Sequence, residues 1–182
     1  MNGTPIPHNR PTIGKAEETA AINVLRSGWI VQGTAVENFE DELCSYLGLP
    51  SGSAVAFSSG TAALYVALVV LSAKDKTVAM PFYCCSALRH AATLAGANPL
   101  LVDSKTDSPN MDLEVINNAT NIAVIPHLFG IPQKITNDAS NIYLIEDCAQ
   151  SLGAYVEQEP VGLQGHVGIF SFYATKIGRA HV

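Results

Sequence analysis

From residue 54 onward the chain alternates brief, nearly charge-free apolar runs with stretches of helical periodicity, and this constrains the fold more than any other feature. Residues 54–57, 77–80, 99–102, 122–125, 142–145 and 166–172 read as strands. Their lack of charge is what strands covered on both faces require. Between them, residues 61–71, 86–95 and 112–117 read as helices, while the stretches around Gln133 and Gly153 follow neither period. Strand, helix, strand repeated in this way predicts an α/β fold with a mainly parallel sheet. Functional residues are then expected at the carboxyl ends of the strands.

Ahead of this lies a different pattern. Residues 15–26 carry Ala16, Ala20, Ile22, Val24 and Leu25 on one helical face, with Gly28 placed to stop the helix. A second helix is predicted from Thr34, where Thr34 and Glu37 have the spacing of a capping box; Val36, Phe39, Leu43 and Leu47 follow at helical intervals and Gly48 ends it. Residues 1–48 thus read as a helical arm. The loop from Gly28 to Gly33 is apolar, and Trp29 within it is expected to pack on the arm.

Composition narrows the function. Sixteen Asp+Glu against ten Lys+Arg give a net charge of −6, which argues against a nucleic-acid partner. Only 14% of the 182 residues are charged and 48% are apolar, the balance of a chain with a buried core. The first fourteen residues lack the apolar core of a secretory signal. The longest apolar run, residues 62–71, is far short of the roughly 20 that span a bilayer. A soluble cytoplasmic protein with no membrane contact is the expectation. Cys44, Cys84, Cys85 and Cys148 lack the spacing of a zinc or thioredoxin-like site and are read as buried thiols, so no metal is expected.

Three segments carry candidate chemistry. Ser58-Ser59-Gly60-Thr61-Ala62-Ala63-Leu64 is a small-residue turn from a strand into a helix, where backbone N–H groups and hydroxyls could cradle a phosphate; the alternative is an ordinary capped turn. A Walker lysine and a G-x-G-x-x-G helix start are both missing from it, which weakens the usual nucleotide readings. Glu146-Asp147-Cys148-Ala149-Gln150 puts two acids and a Gln at the carboxyl end of a buried strand. An acid there could hold a proton on a ring nitrogen, or cap the next turn. Gly168-Ile169-Phe170-Ser171-Phe172-Tyr173-Ala174-Thr175-Lys176 runs a strand into a lysine. Together they supply a phosphate turn, an acid and an amine, the equipment of a pyridoxal phosphate enzyme.

The order of these segments resembles the first half of the DegT/StrS-type sugar aminotransferases, members of the fold-type I pyridoxal phosphate enzymes. The resemblance runs from about Arg10 to Lys176. It is carried by Ser27-Gly28-Trp29 with Gly33 and Phe39-Glu40; Ser59-Gly60-Thr61-Ala62-Ala63-Leu64; Val102-Asp103; His127-Leu128-Phe129-Gly130; Glu146 through Ala154; Val161-Gly162; and Phe170 through Lys176. It implies a three-layer α/β sandwich, the fold-type I large domain, in residues 49–176. It also implies that the domain is incomplete, with the small C-terminal domain absent.

Residue by residue, the resemblance implies that Lys176 binds the cofactor aldehyde and later moves a proton at the substrate carbon. Asp147 matches the acid on the pyridine nitrogen and Gln150 a residue near the ring hydroxyl. Gly60, Thr61 and Ser171 match the phosphate cradle. The implied reaction moves an amino group from an amino acid, glutamate being the expected donor, to a keto sugar, expected to be nucleotide-linked. This belongs to amino sugar biosynthesis for cell-surface polysaccharide, and a homodimer is implied for the full-length protein. Rival readings are an inert pyridoxal phosphate-binding or regulatory protein and a nucleotide-binding α/β module.

Departures from the family pattern are Cys85 where a ring-stacking aromatic is common, Cys148 for Ala and Ala174 for Pro. Lys176 separates the chain from related sugar dehydratases, which carry His there. His127 is expected to have a structural role in its loop. Residues 177–182 depart from the family and match a translated frame of a common sequencing adapter. They are expected to be a non-native tail, and the chain as written is expected to be inactive.

Overall fold

The computed structural model describes residues 11, 13–116, 119–135 and 141–173. Two compact units are distinguished, one holding the residues up to Ala56 and the other running from Phe57 to Tyr173. Lys176, Ala174 and the 177–182 segment lie outside the described residues.

In the first unit, α1 (Lys15–Ser27) ends at Gly28, which adopts φ 71° and donates its N–H to Leu25 O. Helix α2 (Thr34–Leu47) ends likewise at Gly48, with φ 72°. A left-handed C-terminal residue is what glycine alone adopts without a Cβ penalty. The predicted capping box at Thr34 is not formed: Gly33 is the N-cap and Thr34 is already helical. Glycine is required there because the Trp29 indole fills the space a Cβ would need. Trp29 donates its Nε1–H to Gln32 O at 2.8 Å and lies against this loop, yet remains exposed.

The second unit is built on a five-stranded sheet of β1 (Thr77–Pro81), β2 (Asn98–Val102), β3 (Ile122–Pro126), β4 (Tyr143–Asp147) and β7 (Val167–Ile169), in the order β2-β1-β3-β4-β7. Every pairing in it is parallel. A short antiparallel hairpin, β5 (Tyr155–Val156) with β6 (Glu159–Pro160), stands apart from it. Helices α3 (Gly60–Val70) and α4 (Ala87–Leu94) share one face, packing Leu64, Leu68, Leu88 and Ala91 against Val78, Met80, Val124, Ile145 and Ile169. The opposite face is covered by irregular chain through Met111, Leu113 and Ile135, against Ala79, Ala123, Ile125 and Leu144. The fold is α/β with a mainly parallel sheet.

Three expectations change. Residues 54–57 form no strand, because no partner offers a ladder to them among the described residues. The helix expected over 112–117 reduces to a 3₁₀ turn, Leu113–Val115, in which the Asp112 carboxylate accepts the Glu114 N–H at 3.1 Å. A local side-chain acceptor there competes with helix propagation. Strand β2 is not covered on both faces. It lies at the sheet edge with Leu100 and Leu101 exposed.

The chain leaves β1 toward β2 on one side and continues through β3 on the other. The order therefore reverses between β1 and β3, and a crevice at the carboxyl ends is where ligands of such sheets bind. Leu68, fully buried between α3, α4 and the sheet, anchors the helical face. Leu68→Ala should destabilise the chain by about 3 kcal/mol in urea denaturation, the usual cost of a core Leu truncation.

Candidate active site

Side chains alternate along a strand, so neighbours in β4 serve opposite faces. Ile145 packs with α3 and α4, and Asp147, two residues on, shares that face; Glu146 faces the other. Asp147 is half-buried at the strand end and accepts the Ala149 N–H through Oδ1 at 3.0 Å. Beyond β7, Ser171 reaches the start of α3: a Cβ built on Gly60 would stand 3.3 Å from Ser171 Cβ. Glycine at 60 is what lets the two segments approach. Ser59 caps α3, its Oγ accepting from Ala62 N at 3.1 Å and its carbonyl from Ala63 N at 3.0 Å. The N–H groups of Gly60 and Thr61 precede the first intrahelical bonds and are not used by the helix itself, at its positive end. Gly60, Thr61 and Ser171 are thus brought together, with Asp147 on the same face of the sheet. Gln150 sits in the turn after β4, where Oε1 accepts the Phe129 N–H at 2.7 Å.

Reasoning from the sequence missed the role of Glu146. Its carboxylate is fully buried and accepts four hydrogen bonds: from His127 Nε2 at 2.9 Å, Gly162 N at 2.8 Å, Gly165 N at 2.7 Å and Gln164 Nε2 at 3.3 Å. His127 Nδ1 accepts the Gln133 N–H at 3.0 Å, so the ring proton lies on Nε2 and is given to Glu146. Burial pushes the Glu146 carboxyl up. The His127 bond and the N–H groups of Gly162 and Gly165 outweigh that and hold it below the ordinary value. The signal for this was present, since an acid next to Asp147 must face the interior when Asp147 faces the crevice. Its donors, however, lie 16 to 19 positions away in the chain.

His127, Glu146 and Cys148 bring their ligand-type atoms within 4.8 Å of one another. The carboxylate's lone pairs and His127 Nδ1 are already taken, and burial, with the charges of Glu146 and Asp147 adding to it, pushes the Cys148 thiol well up. The cluster is a hydrogen-bonded core. The other cysteines correct the expectation of four buried thiols. Cys44 and Cys148 are buried, but Cys84 is half-buried and Cys85 exposed, because the turn after β1 carries them out of the sheet. Burial pushes the Cys84 thiol up, with Cys85 and Asp147 adding to the effect. Tyr83, in the turn after β1, and Phe129, in the turn after β3, are both exposed, and their ring centroids lie 6.5 Å apart.

A parallel α/β sheet with a small-residue helix start and an acid at the carboxyl end defines a class of ligand-binding domain. Comparison with known proteins gives this one its family. Residues 11–178 match the DegT/DnrJ/EryC1/StrS aminotransferase family model, and the chain belongs to that family. It is 36% identical to MJ1066, an uncharacterized protein of Methanocaldococcus jannaschii, over 94% of this chain and 46% of that protein. Among solved structures it is similar to Spr1654 of Streptococcus pneumoniae, assigned as a sugar aminotransferase and solved in apo, PLP and PMP forms. The apo form matches with a TM-score of 0.85 and 29% identity over 94% of this chain and 49% of that one. It is also similar to PseC of Helicobacter pylori, an aminotransferase of pseudoaminic acid biosynthesis, with a TM-score of 0.79 and 26% identity over 93% of this chain and 48% of that one. The chain spans about half the length of the relatives it matches.

Two outcomes follow. Glu146 is held below its unfolded value, so its contribution to stability is fully present above 4.5, the ordinary carboxylate value, and is lost as pH falls through the folded value. Acid titration of the fold should show this loss below that pH. Glu146→Gln, which turns an NH₂ toward N–H donors, should remove the contribution and cost about 3 kcal/mol at neutral pH by chemical denaturation. Thiol titration of the native chain with an aromatic disulfide should label Cys85 first, with Cys148 reacting only after denaturation.

Proposed function

We propose that residues 49–176 form the cofactor-binding part of a pyridoxal 5′-phosphate-dependent sugar aminotransferase, with residues 1–48 as its helical arm. The observation that carries this reading is the meeting of Gly60 and Ser171 at the start of α3, on the face of the sheet that Asp147 shares. The residues present fit the group. A side chain at 60 would fill the cradle, the Gly60 and Thr61 N–H groups and the Ser171 hydroxyl suit a phosphate, and Asp147 offers a carboxylate to a ring nitrogen. Family membership and the PLP and PMP forms of the Streptococcus pneumoniae protein support it.

Bound there, the cofactor supplies an aldehyde that exchanges amines and an electron-poor ring. The rest is the work of the chain. Gly60, Thr61 and Ser171 hold the phosphate by N–H and O–H donation. Asp147 keeps a proton on the ring nitrogen, a carboxylate favouring the charged form of its partner. Gln150 would stand on the side of the ring that carries its hydroxyl. Lys176 provides the amine that binds the aldehyde and carries a proton to and from the substrate carbon. The proposed donor is an amino acid, glutamate by preference, and the acceptor a nucleotide-linked keto sugar, processed in the cytoplasm by a homodimer. The similarity to a sugar aminotransferase of Streptococcus pneumoniae and to the pseudoaminic acid enzyme of Helicobacter pylori supports the sugar.

Added pyridoxal 5′-phosphate should give absorbance near the visible edge, and borohydride should convert it to a mass adduct on Lys176. Lys176→Ala should lose the adduct, and Asp147→Ala should weaken binding about tenfold or more. In the full-length protein, glutamate should discharge the absorbance before reduction. A chain that stays colourless, with no reducible adduct, would overturn the proposal; an adduct indifferent to every amino acid would leave an inert binder.

A further inference from the structure

The chain after β3 makes an unusual turn. Phe129 adopts φ 57° and ψ 22°, a left-handed conformation that a bulky L-residue rarely takes, and Gly130 follows with φ 75°. Burial of the ring does not account for it, since Phe129 is 63% exposed. The turn is held from its backbone instead. Leu128 N donates to the Asn110 side chain at 2.9 Å, Phe129 N donates to Gln150 Oε1 at 2.7 Å, and a Cβ on Gly130 would stand 3.4 Å from Gln150 O.

The Phe129–Gln150 bond decides which way the carboxamide faces. A backbone N–H can only donate, so the atom it meets must be the amide oxygen. Nε2, with its two protons, is therefore the end of the carboxamide left to meet another partner, and Gln150 is an exposed residue in the turn after β4. A carboxamide free to rotate offers a donor or an acceptor equally. This one offers a donor.

We infer that Phe129 is a positioning residue: its backbone N–H, set by the left-handed turn, fixes Gln150 as a hydrogen-bond donor to an anionic ring oxygen of the bound cofactor. The inference rests on the function proposed above and adds to it the agent that orients Gln150. Donation to that oxygen stabilises its negative charge, so the bound cofactor gives up its proton at lower pH than it would without the bond.

The test combines amide hydrogen exchange of the chain alone with pH titration of the visible absorbance after addition of pyridoxal 5′-phosphate. In the wild-type chain the Phe129 amide should be protected although its ring is exposed. Gln150→Glu still accepts that N–H but can donate nothing, so protection should persist while the titration midpoint rises by about one pH unit or more. Gln150→Leu should lose the protection about tenfold and raise the midpoint as well. Phe129→Gly keeps the N–H and removes the ring, and should leave both readouts near the wild-type values. An unprotected Phe129 amide, an unmoved midpoint in Gln150→Glu, or a Phe129→Gly midpoint displaced as far as that of Gln150→Leu would each overturn the inference. A wild-type chain with no visible absorbance would overturn the proposed function, and with it the donor role of Gln150, whereas absorbance that titrates identically in Gln150→Glu would overturn this inference alone.

Discussion

A carboxylate with no water to solvate it organises the carboxyl end of this sheet. Glu146 is completely buried, and an ion so placed costs several kcal/mol unless donors replace the lost solvent. Four do, from the end of β3 and from the turn between residues 162 and 165. Each of those segments is irregular and would otherwise be free to shift. Because they are tied to one side chain of β4, the loop that begins at His127 and the loop that leads into β7 are fixed relative to the next residue along that strand, Asp147. Gly162 shows how tightly: it donates to Glu146 at φ 96°, and a Cβ there would come within 2.5 Å of the Phe170 ring.

The two adjacent acids thus divide their work by the two-residue period of a strand. One faces the irregular side and satisfies backbone donors. The other faces α3 and remains at the crevice. A parallel sheet makes this division useful, since all five strands deliver their carboxyl ends to the same edge and the reversal of order between β1 and β3 opens a space there. Helix α3 contributes its positive end to the same edge, with the Ser59 side chain taking the Ala62 N–H and not those of Gly60 and Thr61. The site that supports the aminotransferase proposal is in this sense a property of topology, decorated by a few residues.

Much of this was legible in the residues. Strands β1 and β3 are apolar nearly throughout because both faces are covered, and a run without charge announces that; β4 is so only as far as Ile145. Helices α1 to α4 follow their periodicity and glycine stops to within a residue or two. The misreadings share one cause: a local pattern judged without its partner. Residues 54–57 have the composition of a strand but, among the described residues, no ladder beside them. Thr34 and Glu37 have capping-box spacing, but the Trp29 indole makes Gly33 the cap. Cys84 and Cys85 look apolar in sequence, yet they fall in the turn after β1, and Cys85 meets solvent. The family motifs, by contrast, were read in order along most of the chain, and the family model matches over residues 11–178.

By itself, the sequence determined the elements, the α/β class and the identity of the residues at strand ends, because periodicity, charge-free runs and turn residues act over a few positions. Only the tertiary structure decided which of two neighbouring acids is buried, that His127 and the 162–165 turn are its donors, and that the Phe129 N–H meets the Gln150 amide oxygen. Those outcomes depend on contacts between residues some 16 to 21 positions apart, where desolvation and hydrogen-bond geometry, rather than local propensity, set the lowest free energy.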